Sequence, residues 1–159
     1  MTVTPSGMLS LPLNYLKLTL AASSTFQAMV SAADAAAALA FIHPVQTDEQ
    51  PPFAVLDWDP GWRRTAIAGG SRNVFQQDGT LTLLLRAMID GEHDEEEAAY
   101  TFINDVGDII ADMEELAGTA GFLNITTISI TDGPSRPTAD EVTALGYDFY
   151  EIILSIAFE

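Results

Sequence analysis

Apolar residues recur at helical spacing near the start of the chain. Leu13, Leu16, Leu20, Phe26, Met29 and Val30 stand three or four apart, with one gap. The spacing predicts a helix from about Leu11, with Ser10 placed to cap it and Pro12 in its first turn. Ser23, Ser24 and Thr25 are weak helix formers and mark a break point. The alanine-rich run from Ala32 to about Ala40 predicts a second helix, ended by Pro44. A polar connector, VQTDEQPP at 45–52, follows. The period then changes to two: Phe53, Val55 and Asp57 alternate with Ala54, Leu56 and Trp58. Asp59-Pro60-Gly61 reads as a turn into a short strand from Trp62 to Ala68. Residues 69–79, GGSRNVFQQDG, read as a protruding loop or wide hairpin. Thr80–Ile89 is a strand with Leu81, Leu83, Leu85, Ala87 and Ile89 on one face. Leu84 and Met88 lie on the other, which predicts cover on both sides.

The next segment has the most regular helical pattern. Asp94 can cap it, with Glu97 in the capping-box position. Ala99, Phe102, Ile103, Val106, Ile109, Ile110, Met113 and Leu116 or Ala117 form one apolar stripe, which must bury against a sheet. Asp105, Asp108, Asp112 and Glu115 fall mostly opposite it and are the expected exposed acids. The helix should stop near Gly118 or Gly121. Phe122–Thr131 is a strand whose phase changes midway, so a bulge is expected near Thr126-Thr127. Residues 132–144 read as a loop with a short helical turn. Tyr147–Phe158 is a long central strand, antiparallel to 122–131. The order predicts an α+β fold: an antiparallel sheet flanked by helices in a single domain over 1–159, with a loose N-terminus at 1–9.

Charge adds a second theme. Six basic and 23 acidic residues give a net charge of −17. Residues 1–80 hold 6 acidic and 4 basic groups, net −2, and residues 81–159 hold 17 and 2, net −15. Such a surface disfavours nucleic acid and anionic membranes. It is either a well-solvated surface or one that must not adhere to DNA. Three of the basic residues, Arg63, Arg64 and Arg72, lie within ten positions of each other. The chain has no cysteine, which excludes disulfides and thiol chemistry. No apolar run approaches membrane-spanning length and no basic signal segment opens the sequence, so cytoplasmic synthesis is expected.

Catalytic patterns are not found: there is no phosphate-binding glycine loop, HExxH or GxSxG. Of the two histidines, His43 reads as a packing residue at a helix end. His93 lies in DGEHDEEE, 90–97, where Asp90, Glu92, Asp94 and Glu96 offer oxygen ligands without EF-hand spacing. An acidic helix cap is the simpler reading there. Asp57 and Asp59 flank Trp58, but carboxylates at strand ends seldom form a glycosidase pair. No catalytic, cofactor or metal site is therefore assigned. Trp58 and Trp62 bracket the DPG turn and are the first interface candidates. Arg63, Arg64, Arg72 and Phe75 join them.

Several segments together resemble the tail-terminator and tail-completion (head-tail joining) proteins of tailed bacteriophages. They are LTLAASSTFQAMVSAADAAAALAFIHPV at 18–45, PPFAVL at 51–56, TLTLLLRAMI at 80–89, AYTFINDVGDIIADMEELAG at 99–118 and YDFYEIILSIAF at 147–158. The resemblance lies in element order and character over most of the chain, without a diagnostic motif. It implies a tail-terminator-like α+β subunit without enzymatic residues. Such a subunit assembles as a hexameric ring at the head-proximal end of the virion tail, between the tail tube protein and the neck or connector proteins. Genomic DNA passes through the ring without specific binding, and the acids at 105, 108, 112 and 115 would face its lumen or solvent. Other phage neck or minor tail subunits share this character. A rival reading is an acidic mimic of DNA that inhibits a DNA-binding enzyme, with α-helical carboxylates spaced like phosphates.

Overall fold

One five-stranded sheet, with the N-terminal helices and the long central helix packed on one face, accounts for most of these periodicities. The structure, a computed structural model, describes residues 10–45, 47–66, 75–89 and 95–159. In chain order the elements are α1 (Leu11–Ala21), α2 (Ser24–Met29), α3 (Ala35–Ala38), β1 (Ile42–His43), β2 (Phe53–Ala66), β3 (Phe75–Met88), α4 (Glu95–Leu116), β4 (Ile125–Ser135), α5 (Ala139–Leu145) and β5 (Phe149–Phe158). The sheet order is β1-β2-β3-β5-β4. Every pairing is antiparallel except β1 with β2, a two-residue parallel contact that the period did not predict. The fold is α+β.

Alternation sorts the strand residues cleanly. Ala54, Leu56, Leu81, Leu83, Leu85, Ile152, Leu154 and Ile156 face the helices, where they join Leu16, Leu20 and Phe26 in a single core. Phe102, Val106, Ile109 and Met113 of α4 enter the same core, as the stripe predicts. Ile103 is the exception on that stripe; it stays 46% exposed. The opposite face of the sheet carries a smaller cluster of Phe53, Val55 and Leu84, with Ile153 against it. Met88, at the end of that face, is exposed, so cover on both sides holds only in the middle of β3.

The N-terminal helix breaks where the serines stand. Ser23 ends up as a cap, its hydroxyl accepting from the Phe26 amide at 3.2 Å, which is the local bonding that makes serine poor inside helices. Ser10 holds the N-cap position of α1 in a helical backbone conformation, without a side-chain capping bond. The second predicted helix shortens to Ala35–Ala38, capped by Asp34, and a 3-10 turn at Leu39–Phe41 steers the chain into β1. His43 therefore lies in a strand, not at a helix end. Its ring meets Phe53 edge-on at 5.9 Å, and its Nε2 lies 3.3 Å from Glu49 Oε2.

Asp59-Pro60-Gly61 does not turn the chain back. β2 continues through it, and its register against β3 shifts between Asp57 and Gly61, where Gly61 takes a φ of 91°. For 69–79 the protruding-loop reading is corrected in favour of the hairpin, since Phe75–Gly79 belong to β3 and pair with Trp62–Ala66. Residues 67–74 and 1–9 lie outside the described residues, as do Asp90–Asp94 with His93 and the proposed Asp94 cap. The bulge expected near Thr126-Thr127 is present, and two further irregularities follow as β4 runs on to Ser135. Ile125 and Ile128 face the core, while Ile130 is 57% exposed. The predicted helical turn in 132–144 is α5, held by a reciprocal Thr138–Glu141 capping box and ended by left-handed Gly146.

Candidate assembly surface

β2 and β3 outrun the rest of the sheet. Their ladder extends from Phe53 opposite Arg86 to Ala66 opposite Phe75. β5 accompanies β3 only as far as Phe158 opposite Gly79. Arg63–Ala66 and Phe75–Asp78 thus form a two-stranded arm beyond the body of the sheet. The register shift at Asp57/Gly61 lies at its base, and such irregularities re-aim a strand. A two-stranded ribbon is marginally stable by itself in water, so an arm of this kind gains from a surface to lie on.

Arg63 stands on the arm with a side chain 78% exposed, its Nε donating to Asp78 Oδ2 at 3.0 Å. An ion pair so exposed contributes little and exchanges readily for another carboxylate. Arg64, Trp62 and Phe75 lie on the arm or at its base by backbone position, and Trp58 lies in the shifted stretch of β2. Their side chains lie outside the described residues, as does all of Arg72. The structure thus gathers five of the six sequence-predicted interface positions along one hairpin.

The four acids of α4 do not behave alike. Asp108 and Glu115 are exposed, as expected. Asp112 is half-buried and accepts from the Ser23 hydroxyl at 2.7 Å, tying α4 to the cap of α2. Asp105 is also half-buried. The expectation of four equivalent surface acids is corrected: α2 lies against that flank of α4, which a helical wheel of α4 alone does not reveal. The even row of exposed carboxylates that a mimic of DNA requires is interrupted at these two positions.

Burial, and behind it the charge of Asp108, holds the Asp105 carboxyl above its ordinary value of 3.8. The folded chain then binds that proton more tightly than the unfolded chain. The resulting penalty is absent below 3.8 and complete once the pH rises past the folded value. Asp105→Asn is expected to raise the melting temperature at pH 7 and to leave it unchanged near pH 3, as measured by thermal melts of both proteins. Equal melting temperatures at pH 7 would mean that the carboxyl is fully hydrated.

Sequence reasoning missed a second polar group, on the sheet face away from the core. Arg86 Nε donates to Glu151 Oε2 at 2.7 Å, and its guanidinium lies 4.1 Å from the Phe149 ring centroid and 5.3 Å from that of Phe53. Arg136 Nε donates to Asp148 Oδ2 at 2.9 Å. Both arginines line a cleft of about 530 Å³ with Glu141, Leu145 and Phe149. Each cation is matched by a carboxylate and Glu141 adds another, so the cleft offers an anion no net positive charge. The available signal was parity, since Arg86 and Glu151 sit out of phase with the core residues of their strands.

Among the described residues, no three His, Cys, Asp or Glu side chains are grouped to hold a metal ion. None of their helices is long and apolar enough to cross a membrane. No protein-family model, curated protein or solved structure matches the chain.

Proposed function

We propose that this chain is a virion structural subunit, a tail-terminator or tail-completion protein that forms a six-membered ring at the head-proximal end of a phage tail. The observation that carries the assembly part is the arm at Arg63–Ala66 and Phe75–Asp78, which leaves the body of the sheet and bears Arg63. In a chain of net charge −17, that arm is suited to reach an acidic surface, and a second copy supplies one. The assignment to the tail end rests on the resemblance of the segments at 18–45, 51–56, 80–89, 99–118 and 147–158. The partners it brings are the tail tube protein on one side and neck or connector proteins on the other. Exposed acids such as Asp108 and Glu115 suit a passage through which DNA must slide without adhering.

The test has two parts. Light scattering of the purified chain over a concentration series should resolve a species of six copies. Antibody-labelled particles viewed by electron microscopy should carry the label where tail meets neck. A label along the tail or on the head side would reassign the chain to another tail or neck subunit. Its absence from assembled particles would overturn the structural role.

A further inference from the structure

Two edges of the sheet end without a strand neighbour among the described residues. One is the outer edge of β2 at Gly61–Ala66, because β1 covers β2 only at Ala54 and Val55. The other is the outer edge of β4, the last strand in the order. Exposed edges are templates for another strand, and proteins usually guard them with lysine, proline or bulges. β4 is bulged at both ends, but Thr127, Ile128, Ser129 and Ile130 hold four consecutive register positions on β5. That stretch contains no charge and no proline, and its Ile130 is 57% exposed. Asp132 is the first charged residue beyond it.

We infer that Gly61–Ala66 of one copy adds as a strand to Thr127–Ile130 of the next, so that the sheet continues head to tail from subunit to subunit. The occupant is a second copy of this chain for reasons of charge and geometry. Two chains of −17 can pair only across neutral or complementary surface, and β4 supplies a neutral strand. The incoming β2 brings Arg63 near Asp132, the exposed acid two positions beyond Ile130 on the same strand. The two edges lie on opposite sides of one sheet, so the contact is heterologous. Such contacts repeat from copy to copy and close into a ring when the rotation permits. Pairing of β4 with another β4 would stop at two copies. The arm's opposite edge, on β3, is a poorer donor, because a strand added there would run into the end of β5 at Phe158. The inference names the joint of the proposed ring and in that respect rests on the ring reading.

The chain has no cysteine, so introduced pairs report without background. Ser129→Cys is combined in turn with Arg63→Cys, Arg64→Cys or Thr65→Cys in the full chain, which samples the possible registers. A disulfide forms only when the two Cα atoms come within about 7 Å. Mild oxidation of one of the three double variants is expected to give a ladder of covalent oligomers ending at the ring size. Ile130→Lys, added to that variant, should reduce the ladder roughly tenfold with an unchanged melting temperature. An unchanged ladder would overturn the inference. Dimers from Ser129→Cys alone would overturn it in favour of symmetric β4 pairing. A ring seen by light scattering with no ladder from any double variant would place the joint elsewhere and leave the ring reading standing. A chain monomeric at all concentrations would overturn both. A ladder from a protein absent from phage tails would uphold the joint and overturn the tail role.

Discussion

Removal of residues 149–159 is expected to leave a chain with no cooperative fold. β5 stands between β3 and β4 in the sheet order and pairs with both. It pairs with β3 from Met88 to Gly79 and with β4 from Ser135 to Ile125. Phe149, Ile152, Leu154, Ile156 and Phe158 are all buried on it. At about 1.5–3 kcal/mol for each buried side chain, their loss removes roughly 7–15 kcal/mol. That matches the whole stability of an ordinary domain, about 5–15 kcal/mol. The truncation also unpairs β4 and strips α4 of much of the surface beneath it. Far-ultraviolet circular dichroism should show a flat thermal scan for the truncated chain beside a sigmoidal one for the intact chain. A cooperative melt of the truncated chain would contradict the central place of β5.

The same strand was legible from the sequence, and the reason is physical. β5, β3 and α4 are long, each packs one face on the core, and their apolar residues repeat at the period of their own geometry. β1 was not legible because two residues hold no period, and its parallel contact with β2 is a product of the tertiary fold. At Asp59-Pro60-Gly61 a local turn signal lost to pairing on both sides of it, since β3 binds β2 before and after the shift. Gly-rich composition likewise hid Phe75–Gly79, which pair because Trp62–Ala66 lie opposite. Asp132-Gly133-Pro134 looked like a loop and is an irregular edge strand, where proline is tolerated.

The candidate surface was legible in part. Clustered Arg63 and Arg64 with Trp58 and Trp62 pointed to one stretch of chain, and backbone pairing places that stretch along one hairpin, with Arg63 and Arg64 on its arm. What one sequence could not show was the register. Without it, the ion pair of Arg86 with Glu151 and the hydrogen bond of Ser23 to Asp112 join residues 65 and 89 positions apart with no local sign. The neutral four-residue edge of β4 was hidden for the same reason: its exposure depends on which strand stands at the end of the sheet.

Phe102→Ala is expected to cost about 3–4 kcal/mol, within the usual range for a buried phenylalanine. Phe102 is 4% exposed and stacks on Tyr150 of β5, with ring centroids 5.6 Å apart. Truncation removes the ring through which the first half of α4 meets the sheet. The loss should fall short of the upper limit because Phe102 also lines a cleft of about 380 Å³ beside Met29, Met88 and Ala98. Side chains around an open cleft can settle into part of the vacated volume, and the cost of a cavity depends on that collapse. Ile103→Ala is the matched control. Ile103 follows directly in the same helix but remains 46% exposed, and alanine's better helix propensity offsets part of its loss. Its cost should stay below about 1 kcal/mol. Urea melts with a common slope separate the two, and Phe102→Ala should lower the melting temperature by roughly 6–15 °C. Equal losses at the two positions would require α4 to be turned about its axis from the orientation in which Phe102, Val106, Ile109 and Met113 meet the core. The buried flank that holds Asp105 and Asp112 would then turn with it, so this pair of substitutions also tests which acids of α4 face the solvent.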